Sequence, residues 1–234
     1  YNKRNIYKYE IHREIMAPLI EVSENVLKGL DQLKIPYNLK KENLENKRAK
    51  DLSDFIYVPS INLYVAKQRT LQNKNWFDSH KELQKDNQRM LIIPEFIEFL
   101  KYIKSSDNQE YQNIYKDITE VRNPWRAEWL DADFKVKDKK LYVNYNHVLD
   151  SNKNLIPKKS EILDKNTLMQ DKIPGIDLED YLNSNHTKQG LPNKNVKSGS
   201  LYYYNPRSDN NSVAGFDAGV DRLILDAYRL PSIW

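Results

Sequence analysis

The sequence predicts a single α+β domain in which early helices pack on a later, mostly antiparallel sheet. Three observations support this. Apolar residues recur at three- and four-residue steps mainly in the first half of the chain, whereas strictly alternating runs dominate from about residue 126 onward. No repeat of fixed period and no low-complexity linker divides the 234 residues, a length at which one sizeable core forms without staples.

Ile15, Leu19, Val22, Val26 and Leu30 mark one helical face, with Pro18 in the first turn and a stop before Pro36. The charged stretch from Lys40 to Asp51 reads as a solvated loop or helix face. FIYVPSINLYVA, with Ile61, Leu63 and Val65 alternating, reads as a strand interrupted near Pro59. NWFDSHKELQ fits a helix opening near Asp78 or Ser79. In PEFIEFLKYIK, Pro94 suits the first helical position and Phe96, Phe99, Leu100 and Ile103 form one stripe. Tyr111, Ile114, Tyr115 and Ile118 define a further helix that stops before Pro124. Two alternating runs around Lys137 and Asp138 then read as a β-hairpin. Asp150 to Asp171, rich in Asn and Lys, reads as a long surface excursion, and a short helix follows from Asp177. Strand and turn fill the chain from Leu201.

Composition excludes several functions. The absence of cysteine removes disulfides, thiol catalysis and thiolate metal sites. The 37 Lys and Arg against 33 Asp and Glu give a net charge of +4, too small and too mixed to predict a polyanion partner, so nucleic acid is not favoured. No apolar run reaches the roughly 20 residues a membrane-spanning helix needs. The chain begins at Tyr1 rather than Met and ends abruptly at Trp234, which leads us to expect missing residues at the carboxyl end.

Local chemical signatures are few. His12, His80, His147 and His186 have no ligand spacing; each is expected to be structural or exposed, with His80 a candidate for a buried orienting role. With 6 glycines there is no phosphate loop and no nucleophile elbow. Glu128, Asp131 and Asp133 crowd one segment and are read as polar positions of a hairpin strand. Trp125 and Trp129, with Arg126 and Glu128 between them, are expected to anchor the core around a salt bridge. No cofactor or metal is expected.

The most unusual stretch is SVAGFDAGVDRLILDAYRLPS, Ser212 to Ser232, which contains no Lys, Glu, Gln, Met or Trp although the rest of the chain uses them freely. This segment resembles the variable region of diversity-generating retroelement targets, the archaeal and archaeal-virus versions above all. FIYVPSINLYVA, PEFIEFLKYIK, NPWRAEWLDADF, QGLPNKNVKSG and LYYYNPRSDNNSVAGF extend the resemblance over most of the chain from about residue 55. In that family adenine-specific mutagenic copying rewrites Asn-type codons, which can reach Asp, Tyr, Ser, Gly, Val, Ile, Leu and Arg but never Lys, Glu, Gln, Met or Trp.

The resemblance implies a C-type-lectin-like fold of the formylglycine-generating-enzyme type over 1–234, with a helical and strand extension at about 1–54 and a variable region at about 212–232. It implies a non-enzymatic protein that binds a protein or surface ligand, for attachment or host recognition at a virion or cell surface. The expected recognition residues are Asp217, Gly219, Val220, Asp221, Arg222, Ile224, Asp226, Tyr228, Arg229, Leu230 and Ser232, with Tyr228 and Arg229 as paired outward anchors. The expected scaffold is Val213, Ala214, Phe216, Ala218, Leu225 and Pro231, together with Trp125 and Trp129. The family's closing strand, ending Ser-Leu-Gly-Val, is absent after Trp234. An enzyme on the same scaffold and a nucleic-acid-binding module are the alternatives.

Overall fold

A computed structural model describes residues 52–229 of the protein. Its contacts divide the chain into two compact units, Tyr1–Ser53 and Asp54–Trp234. The helix expected between Ile15 and Leu30, the loop from Lys40, His12, and Leu230, Pro231 and Ser232 lie outside the described residues.

The second unit opens with a two-stranded hairpin, β1 (Phe55–Val58) and β2 (Leu63–Ala66). Pro59 therefore lies in a turn between two strands rather than interrupting one, and Asn62 takes a left-handed conformation there (φ 52°), which its short polar side chain tolerates.

Three helices follow. Asn75 caps α1 (Trp76–Lys85) by accepting from the Asp78 amide at 2.8 Å, so the helix starts earlier than Asp78. In α2 (Ile93–Lys104) Pro94 occupies the first turn and the Glu95 carboxylate accepts from the Ile92 amide at 3.0 Å; Ile93, Phe96, Ile97, Phe99, Leu100 and Ile103 are buried. Asn108 caps α3 (Gln109–Thr119) at the Glu110 amide.

The remaining strands form a seven-stranded sheet: β3 (Arg126–Lys137), β4 (Lys140–Leu149), β5 (Leu155–Ile162), β6 (Lys172–Ile176), β7 (Leu201–Tyr204), β8 (Ser212–Ala218) and β9 (Leu223–Arg229), in the order β5-β4-β3-β8-β9-β7-β6. Only the β7–β9 pairing is parallel. The β3–β4 turn uses Asp138 and Lys139, both at positive φ (50° and 60°), the twist that two-residue hairpins favour. A short helix, α4 (Leu178–Asn183), is capped by Asp177.

The stretch expected as an excursion from Asp150 to Asp171 contains β5. It is an edge strand with most residues exposed on both sides, so it carries Lys158, Lys159 and Glu161 in place of an alternating apolar set.

The core lies between the sheet and α2. Phe216 of β8, Leu225 of β9 and Tyr203 of β7 are laterally paired and share one face, and the Phe216 ring packs 5.2 Å from that of Phe96. All seven residues of β8 are buried, which marks it as the central strand. Replacing Phe216 by Ala is expected to remove about 3–5 kcal/mol of stability. Urea unfolding should show this as a lower midpoint at unchanged slope; a loss below about 1 kcal/mol would contradict this placement of the core.

Candidate functional site

Because strand side chains alternate, β8 and β9 present two sets of residues. Ala214, Phe216, Ala218 and Leu225 turn to the helix-covered face and are buried. On the opposite face Val213 pairs with Tyr228, Gly215 with Asp226 and Asp217 with Ile224. The flanking strands extend this second face, β3 with Ala127 and Trp129, β7 with Tyr202 and Tyr204. Ile224, Asp226, Tyr228, Trp129, Tyr202 and Tyr204 are half-buried there. An open groove of about 1940 Å³ reaches the face, with Trp129, Asp217, Val220, Asp221, Ile224 and Tyr228 among its lining residues.

Aromatic packing sets the floor. The Tyr228 and Trp129 rings meet edge to face at 5.2 Å, and the Trp129 indole donates to the Lys74 carbonyl at 3.0 Å. A Cβ on Gly215 would come within 2.8 Å of the Tyr228 ring, so the glycine is what lets that ring lie against the sheet. Val213 joins the site to a small buried cluster with Trp76 and Met90. At the open end, the β8–β9 turn closes through the Gly219 amide donating to the Arg222 carbonyl at 2.8 Å. The Arg222 guanidinium lies over the Tyr202 ring, 5.0 Å from its centroid, and is ion-paired with Asp221.

The face carries an unusual acid pair. Asp217 is 4% exposed, and its Oδ1 has no hydrogen-bond partner in the protein. Burial, reinforced by the charges of Asp226 and Glu128, pushes its carboxyl up to about 8. Burial also raises Asp226 to about 6, against a hydrogen bond from the Ala227 backbone and with the charge of Asp171 adding to the rise. At neutral pH Asp217 is thus largely protonated and Asp226 largely ionised.

Several expected placements need correction. Asp217, expected to be exposed, is buried because β8 is covered on both sides. Tyr228 and Arg229 do not face outward together: consecutive strand residues point to opposite faces, and Arg229 pairs with Ser212 rather than with the site. Trp125, expected in the core, is 59% exposed, because it precedes the first residue of β3 and lies beyond the covered sheet. Trp129 is half-buried at the site floor. Arg126 is buried and does form the expected salt bridge with Glu128, at 2.5 Å, and a second with Asp117 of α3 at 3.3 Å.

Asp131 and Asp133 lie in a hairpin strand, as expected, but they do not face solvent. Both are buried, with His80 and His147, in a polar cluster beneath Trp76. His147 Nδ1 contacts Asp131 Oδ1 at 2.5 Å, and His80 Nε2 lies 3.6 Å from the same oxygen. Burial holds His80 neutral, down to about 4. Burial works in the same direction on His147, but the two neighbouring carboxylates outweigh it and raise that imidazole. The partners come from α1, β3 and β4, so no local spacing announced them.

No family model, curated protein or solved structure matches the chain. Among the described residues no helix is long and apolar enough to cross a membrane.

The acid pair makes stability depend on pH with a definite sign. The folded chain holds the Asp217 proton more tightly than the unfolded chain, so its contribution is complete below the ordinary value of 3.8 and is lost as pH rises to about 8. Asp226 acts likewise between 3.8 and about 6. Asp217→Asn is therefore expected to be more stable than the native chain at pH 8, on the order of 1–3 kcal/mol, with the difference vanishing toward pH 4. Thermal melts of both proteins across that range check this; parallel curves would contradict it.

Proposed function

We propose that the chain is a non-enzymatic ligand-binding protein whose recognition surface is the open face of β9 together with the Gly219–Arg222 turn. We place it with the variable proteins of diversity-generating retroelements, on a C-type-lectin-like scaffold, acting in attachment or host recognition. The observation that carries this reading is the separation of two interleaved residue sets. Ile224, Asp226 and Tyr228 share one face with Asp217, whereas Ala214, Phe216, Ala218 and Leu225 pack on the helices. A surface that must accept varied side chains needs such a division, because packing and contact then fall to different residues.

The ligand chemistry follows from what the face offers. Tyr228 and Trp129 supply broad amphipathic rings with little rotamer entropy to lose. Asp226 and Asp221 supply acceptors, and Arg222 a planar cation at the rim. A folded protein surface with exposed Lys or Arg and an apolar patch meets these demands. One observation favours an enzyme instead: the two carboxyls at about 8 and about 6 resemble a general acid and base whose environments have been split. Asp217, however, is buried, with little of its carboxyl open to a substrate.

The deciding experiment sequences the DNA that encodes residues 212–232 in many clones grown from one isolate, together with its flanks. The proposal expects a nearby second copy differing only at adenines, and variation confined to codons of the open face and its turn. No second copy, or substitutions spread evenly along the gene, would overturn it.

A further inference from the structure

The buried cluster beneath Trp76 lies outside the proposed recognition face and asks for its own explanation. His80 is completely buried, yet neither of its ring nitrogens has a partner in the protein, and Nε2 of His147 is likewise unpaired. A neutral imidazole with both nitrogens stranded in an apolar interior is rare, because each forfeits its hydration without recompense. An adjacent carboxylate makes the arrangement more pointed: Asp131 Oδ1 lies 3.6 Å from His80 Nε2 and 2.5 Å from His147 Nδ1.

One donor atom each from His80, Asp131 and His147 lie within 4.8 Å of one another. A tetrahedral ion with bonds of about 2.0–2.2 Å spaces its ligand atoms roughly 3.3 Å apart. The two Asp131 distances bracket that value, and seating an ion requires the His147 contact to open by about 0.8 Å.

The surroundings hold the three donors in place. The Asp131 Oδ2 accepts from the His147 amide at 3.1 Å. The Trp76 ring packs edge-on against both imidazoles, at 4.3 and 5.1 Å, and its own indole donates to the Leu130 carbonyl. Gln84 binds the His147 carbonyl and the Leu149 amide, clamping α1 to β4. On the far side of the His147 ring Asp133 Oδ1 lies 3.8 Å from Nε2 and is itself oriented by Asn144 at 2.6 Å. A carboxylate behind a ligating histidine is the usual supporting group of a metal site.

We propose that His80, Asp131 and His147 bind one divalent transition-metal ion, with zinc the best match to two imidazoles and a carboxylate, and that water completes the coordination. The ion is structural: it joins α1 to β3 and β4 beneath Trp76. No thiolate is needed, and the two carboxylates compensate the charge of the dication.

The test uses untagged protein stripped with a chelator and dialysed. Zinc is expected to bind at roughly one ion per chain by elemental analysis, and to raise the melting temperature by on the order of 10 °C at a thousand-fold excess over its dissociation constant. Cobalt(II) should give a visible absorption band that zinc abolishes, a readout that needs no variant. His80→Gln should weaken zinc binding about 100-fold or more and remove the thermal response. Asp133→Asn, which keeps all three donors, should bind zinc about 10-fold more weakly than the native protein. Folded native protein that takes up no zinc, lacks the cobalt band, or responds to zinc equally with and without His80 would overturn the assignment.

Discussion

The packing of Phe216 against Phe96 fixes which way every other residue of β8 and β9 points. Once that ring is held 5.2 Å from its partner on α2, the two-residue period of the strand sends Asp217 and Gly215 to the other face. The β8–β9 register then brings Ile224, Asp226 and Tyr228 up beside them. A slip of one residue would exchange the two sets, turning Asp217, Asp226 and Tyr228 toward the helices and the apolar residues away from them. The register is therefore strongly specified, and the open face inherits its geometry from the core behind it.

The open face is anchored at one edge by a second, smaller core. Val213 sits under Trp76 and Met90, and Tyr228 and Trp129 pack against the same group. Trp76 also covers His80 and His147, so one indole is shared between the floor of the open face and the polar cluster. This arrangement divides the tasks of the molecule. The helix-covered face supplies stability, the Trp76 region positions α1 against β4, and Val220 and Asp221 at the rim stand exposed, whereas a Cβ on Gly219 would meet the Arg222 carbonyl oxygen at 3.0 Å. Val220, 63% exposed, touches almost nothing whose loss would cost stability.

Much of this was legible in the sequence where the signal is local. Pro94 and the Phe96, Phe99, Leu100, Ile103 stripe announce α2, and the alternation around Asp138 announces the β3–β4 hairpin. The sequence grouped Val213 with Ala214 and Phe216, whereas the strand period places Val213 on the opposite face beside Tyr228. What was not legible depends on neighbours distant in sequence. Nothing local to Asp217 says that both faces of β8 are covered, so its burial could not be read. Trp125 and Trp129 look equivalent as a pair, but one precedes β3 and the other lies within it. β5 gave no signal because an edge strand has little apolar side to show. His80, Asp131 and His147 meet through a register irregularity between Trp129 and Asp133 and a left-handed residue at Asn146, features with no compositional mark.

The central claim is that one hairpin carries a face that must be kept and a face that can be changed. Saturation mutagenesis of residues 212–229, read out by resistance of the displayed protein to protease, tests it most directly. Sharp intolerance is expected at Val213, Ala214, Phe216, Ala218 and Leu225 and broad tolerance from Val220 to Arg222 and at Ile224 and Asp226. Uniform intolerance along the hairpin, or tolerance that ignores the two-residue alternation, would contradict it.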